Sequence, residues 1–172
     1  MNDRYGKMVV MFLLALVLLS ACSSAGFDPE NEKEYGVSGI YLGQNVQEAI
    51  DVLKPTRADF MDMVSRQSYT VEQMAQGAGD AVMGILQVGR TQIVVKVRRG
   101  KLQSIMLSGV PQEDAAKFKT ARGLAMYDSA EQVHKLYGRG TGKQEIVYQG
   151  SRCKASFGLE GSKVAWMKFE SL

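Results

Sequence analysis

Two stretches of this chain repeat one pattern of apolar and polar positions. In Gly39–Pro55, "GIYLGQNVQEAIDVLKP", apolar residues fall at Val46, Ala49, Ile50 and Leu53. In Gly123–Gly138, "GLAMYDSAEQVHKLYG", the matching positions are Ala130, Val133, His134 and Tyr137. The spacing i, i+3, i+4, i+7 is the buried stripe of a short helix. Each stripe follows an N-cap-x-x-Glu/Gln signal, Asn45 with Glu48 and Ser129 with Gln132. That signal marks a helix start, because it can satisfy two amide donors the helix leaves unpaired. After each helix the period changes to two. Thr91–Leu107 reads as two strands around Arg99-Gly100, and Arg152–Phe169 as two strands around Gly161-Ser162. A preceding strand is expected in each copy, over Ala81–Val88 and Glu145–Gln149. Thr56–Ala75, rich in Met, is expected to be helical, and Pro111–Thr120 a helical connector. Gln76–Gly84 reads as a flexible link into that first strand. The expected fold class is α+β, as two tandem helix–three-stranded antiparallel meander units with helices on one face of the sheet.

A Gly-hydrophobic opening, a capped helix and hairpins around "RGKL" and "GSKV" resemble the SmpA/OmlA (BamE-like) lipoprotein domain. They also resemble the β-lactamase inhibitory protein fold, which places two such units in tandem. The resemblance extends over residues 36–172. It implies an adaptor or inhibitor that works by binding proteins and not by catalysis.

The N-terminus assigns a location. Met8–Leu19 is almost wholly aliphatic, follows Arg4 and Lys7, and is too short for a membrane span of about 20 apolar residues. It ends in "LSAC", which resembles the lipobox of bacterial lipoproteins, where the Cys thiol carries a diacylglyceryl group. Residues 1–21 are therefore expected to be a lipoprotein signal peptide, and Cys22 the lipid attachment site. Residues 22–36, small and acidic with Pro29, read as a flexible tether. The first unit is expected over 37–110 and the second over 111–172. Lipidation implies an extracytoplasmic protein held at a membrane by its N-terminal lipid. Ser23 next to the lipidated Cys resembles outer-membrane sorting, which implies the periplasmic side of the outer membrane in a diderm cell, or the outer cell surface in a monoderm.

Composition narrows the chemistry. Cations slightly exceed acids, with a formal net charge of +3, so there is no polyanion-binding signature and no nucleic-acid partner is expected. The chain has one His and two Cys. His134 sits on a helix stripe and Cys153 alternates with Ala155, Phe157 and Leu159, so both read as structural. No metal site, cofactor or catalytic constellation is expected, and the chain is not expected to be an enzyme. "YGRGTGK" at Tyr137–Lys143 lacks the spacing of a phosphate loop and reads as a helix stop. Asp59 and Asp62 share a face of the expected helix.

The sheet carries the binding hypothesis. Folding the hairpins with two-residue turns pairs Val97 with Leu102, Val95 with Ser104 and Ile93 with Met106. It likewise pairs Leu159 with Val164, Phe157 with Trp166 and Ala155 with Lys168. These form the expected covered face. The opposite face then carries Val94, Lys96, Arg98, Ile105, Leu107, Lys154, Met167 and Phe169, with Lys101, Gln103 and Ser156. Apolar residues interleaved with basic ones suit a protein partner. The alternative is a pocket for a small apolar ligand between helices and sheet, lined from the ten Met residues.

Overall fold

A computed structural model describes residues 26–172; Cys22 and the apolar run before it lie outside the described residues. After a 3-10 turn at Glu32–Glu34 come the two-residue strands β1 (Gly36–Val37) and β2 (Ile40–Tyr41), which pair antiparallel. Ser38 and Gly39 turn between them with φ of 54° and 82°, both in the left-handed region. Helix α1 (Val46–Leu53) starts at Asn45, whose Oδ1 accepts the Gln47 N–H at 2.8 Å. It stops at Lys54, left-handed at φ 46°, because Pro55 cannot continue it. Helix α3 (Ala130–Tyr137) starts at Ser129, whose hydroxyl accepts the Gln132 N–H at 3.2 Å. A reciprocal capping box forms elsewhere, at Thr70 and Gln73, opening the one-turn helix α2 (Val71–Ala75).

The strands are β3 (Arg57–Asp62), β4 (Ser68–Tyr69), β5 (Val82–Val88), β6 (Thr91–Arg98) and β7 (Lys101–Ser108). After the linking 3-10 helix Gln112–Lys117 and α3 come β8 (Glu145–Gln149), β9 (Cys153–Glu160) and β10 (Lys163–Ser171). All eight join one sheet in the order β4-β3-β5-β6-β7-β10-β9-β8, and every pairing is antiparallel.

This corrects the expected fold class. The chain does not build two helix–meander units. It builds one eight-stranded antiparallel sheet with a two-stranded ribbon and a few short helices. Two features account for the difference. β7 and β10 pair from Ser104↔Glu170 to Ser108↔Trp166, which fuses the halves of the chain into a single sheet. Thr56–Ala75 is mostly strand and turn: Ala58 and Phe60 face inward and Arg57, Asp59 and Met61 outward, a period of two. Asp62 does not share a helix face with Asp59; its carboxylate accepts the Val64 and Ser65 N–H groups in the β3–β4 turn.

The internal likeness of the sequence survives as matched local contacts. Gly43 N–H donates to Leu102 C=O and Val46 N–H to Gly100 C=O; Tyr127 N–H donates to Val164 C=O and Ala130 N–H to Ser162 C=O. Each helix start is thereby bonded to the tip of the hairpin that follows it. The core lies on the inner face of the sheet. It combines inward strand residues with Tyr35, Val37, Ile40 and Leu42, with Val46 and Ala49 of α1, and with Val133 and Tyr137 of α3. Rings fill its β8–β10 end, where Tyr137 packs on Phe157 at 4.9 Å and Phe157 on Phe169 at 6.0 Å between centroids.

The expected tether is also corrected for its described part. Phe27 packs against Tyr137 at 5.1 Å and against Tyr35 and Tyr148 at 5.6 Å. Its glutamates each bind the body. Glu30 accepts from the Ser151 N–H and hydroxyl, Glu32 pairs with Arg152 at 3.3 Å, and Glu34 pairs with Arg122 at 2.9 Å. The segment is a strap fixed across the β8–β9 turn.

Candidate binding face

The outer face of the sheet is set by register, and the register holds a surprise. In the first hairpin Val97 opposes Leu102, but Lys96 opposes Ser104, so Gln103 is an extra residue. In the second, Leu159 opposes Val164 but Gly158 opposes Trp166, so Ala165 is extra. Each is a β-bulge, and one extra residue exchanges the faces of everything beyond it. The consequence is a correction. Ile105, Leu107, Met167 and Phe169 do not lie on the open face; all four are fully buried in the core. Ser104, Met106, Trp166 and Lys168, expected on the covered face, point outward instead.

The other expected residues do lie on the outer face. Val94 is half-buried, Lys96 and Arg98 are exposed, and Lys154 is half-buried. Register brings them beside residues that the alternation missed. One row runs Asp59–Ile85–Val94–Met106–Lys168–Ser156–Val147, and the next Met61–Met83–Lys96–Ser104–Glu170–Lys154–Gln149. The first half of the sheet therefore presents an apolar patch of Met61, Met83, Ile85, Val94 and Met106. Ile85 is 42% and Met61 40% exposed. Three of these five are methionines, whose unbranched, polarisable chains adapt to varied partners.

The second half is closed by its own side chains. The Trp166 indole lies over Gly158, so closely that a methyl group there would overlap the ring. Glu170 takes Lys168 at 2.6 Å and Lys154 at 3.1 Å. Burial pushes the Glu170 carboxyl up, but the bonds from Lys168 and Lys154 outweigh it and hold it below the ordinary range. Beneath them Ser156 is buried with an unpaired hydroxyl. In the first half Arg57 pairs with Asp59 at 2.6 Å. Lys96, Arg98 and Lys101 form no ion pair among the described residues, leaving a cationic margin at one end of the patch.

The chemistry-bearing residues lie elsewhere. Cys153 is buried and free, and burial pushes its thiol up. His134 is exposed; its Nδ1 lies 3.3 Å from Gly138 O and 3.4 Å from the Tyr148 hydroxyl, at the end of α3. Among the described residues no group of three or more His, Cys, Asp or Glu converges, and no helix is long and apolar enough to cross a membrane.

Comparison with known proteins adds little. No known family matches the sequence, and no curated protein does. Among solved structures, an extracellular protein containing a SCP domain from Bacillus anthracis str. Ames is similar at 10% identity and a TM-score of 0.39. The match covers 75% of this chain and 43% of that one, so the chain spans less than half of that protein's length. A likeness this slight transfers neither fold nor function.

Proposed function

We propose that this chain is a lipid-anchored extracytoplasmic binding module, an adaptor or inhibitor-like protein without catalysis of its own. Its partner docks on the outer face of β3 and β5–β7. The observation that carries this is the contrast within one sheet face: Ile85 and Met61 are exposed and Met83, Val94 and Met106 half-buried on β3 and β5–β7, whereas Trp166 and the Lys154–Glu170–Lys168 cluster cover the second half. The cationic margin of Lys96, Arg98 and Lys101 favours a protein segment whose apolar stretch is flanked by carboxylates. Attachment through Cys22 is part of the reading and rests on the "LSAC" motif. The small-ligand alternative draws less support, because the inner face is filled by side chains such as Phe157, Phe169 and Leu102.

The test is charge insertion on the patch. Val94→Glu with Met106→Glu should abolish partner capture in crosslinked pull-downs from native membranes while the protein stays folded by circular dichroism. A folded double variant that retains its partner would contradict the reading.

A further inference from the structure

We infer that the end of the molecule formed by the last turn of α3 and the loop after it, carrying Lys135, Arg139 and Lys143, lies against anionic lipid headgroups. This rests on the lipid-anchor reading above and goes further, by saying which side of the fold meets the bilayer. Phe27 fixes the N-terminal strap in the aromatic cluster of Tyr35, Tyr137 and Tyr148. Gly26 lines a surface cleft together with Lys135, Leu136 and Gly138, so the chain enters the body beside the C-terminal end of α3. Cys22 precedes Phe27 by five residues. Five residues reach at most about 18 Å when fully extended. An acyl group on Cys22 therefore keeps this end close to the headgroups, on the order of one or two screening lengths of about 8 Å.

Charge agrees with reach. Lys135, Arg139 and Lys143 are exposed, and among the described residues none of them forms an ion pair. The nearby acids of the strap are engaged. Glu34 is held by Arg122, Glu32 by Arg152 and Glu30 by Ser151, and the Asp28 carboxylate accepts the Glu30 N–H. The partners of Asp28 and Glu30 are neutral, so these two, with Glu131 and Glu145, are the opposing charges along this stretch. The β3–β4 turn is at the other edge of the sheet. Eight strands at about 4.8 Å spacing put that edge roughly 30 Å away. The β8 edge thus meets the bilayer, and the apolar patch of the first half stands clear of it.

Headgroup proximity can be read directly. The acylated full-length protein is reconstituted in phosphatidylglycerol–phosphatidylethanolamine vesicles carrying a headgroup spin label. A bimane probe is placed at Gln144→Cys or, as the distant comparison, at Arg66→Cys; Cys153 is buried and Cys22 acylated, so neither competes. Quenching should be several-fold stronger at 144 than at 66. Lys135→Glu with Arg139→Glu, or replacement by phosphatidylcholine, should shrink the difference. Equal quenching at both sites overturns the inference, as does a folded charge-reversed protein quenched like the parent. Mass spectrometry of the N-terminus separates the two failures. An unmodified N-terminus sinks the anchor reading and this inference together, whereas an acylated protein with equal quenching sinks only this inference.

Discussion

The two halves of the sheet share one face and treat it differently. Over β8–β10 the outer face is closed by Trp166 on Gly158 and by the Lys154–Glu170–Lys168 cluster. Over β3 and β5–β7 the same face leaves Met61 and Ile85 exposed and Met83 and Val94 half-buried. Both halves bury the inner face equally well, with Val95, Val97 and Ile105 on one side and Ala155, Phe157 and Phe169 on the other. The difference is therefore not one of foldability. The sheet covers its outer face with its own side chains over β8–β10 only, and the proposed binding face is the other half.

Substitutions can break or sharpen that contrast. The largest effect should come from the inner face. Phe157 is fully buried against Tyr137, Tyr148 and Phe169, and Phe157→Ala should cost about 3–5 kcal/mol in denaturant unfolding. Gly158→Ala should come next, because the new methyl displaces the Trp166 ring, at about 1–3 kcal/mol. Pairing it with Trp166→Ala should recover part of that loss, since removing the indole removes the overlap; strict additivity would mean that the ring does not rest on Gly158. On the open half, Ile85→Lys should change stability by less than about 1 kcal/mol, as suits an exposed residue outside the core.

The register was legible in the sequence, though not by simple alternation. Leu102, Ile105 and Leu107 are spaced three and then two, and so are Val164, Met167 and Phe169. Only an extra residue puts each set on one face, and its recurrence at the same place in both hairpins was the signal for the bulges. The helix starts at Asn45 and Ser129 and the turns at Arg99-Gly100 and Gly161-Ser162 were readable because their causes are local. The strap was not. Its glutamates look solvated in sequence because Arg122, Ser151 and Arg152 lie far along the chain. The pairing of β7 with β10, which makes one sheet of two halves, is likewise a long-range contact with no local signature.

Titration should give the smaller, graded effects. The hydroxyl of Tyr35 is pushed up to about 12 by burial, and burial also raises those of Tyr137 and Tyr148. These groups keep their protons longer in the folded state than in the unfolded chain, where they ionise near pH 10. Stability should be unaffected by them at neutral pH and fall as pH rises from about 10 towards 12, a loss that Tyr35→Phe should reduce. Glu170 has the opposite sign. Its depressed carboxyl favours the folded state above the ordinary carboxylate range, and that contribution should fade in acid as the group protonates. Glu170→Gln should abolish that acid-limb dependence. Cys153 should react with thiol reagents slowly until the protein unfolds, since it is buried and its thiol is pushed up.

The contrast between the halves is tested most directly by photocrosslinking from the outer face in native membranes. A photoreactive residue is placed at Val94 in the first half, or at Val147, which lies on the same row in the second. The account predicts one discrete protein adduct from position 94 and none from position 147. Equal adducts from both positions, or an adduct from position 147 alone, would contradict it.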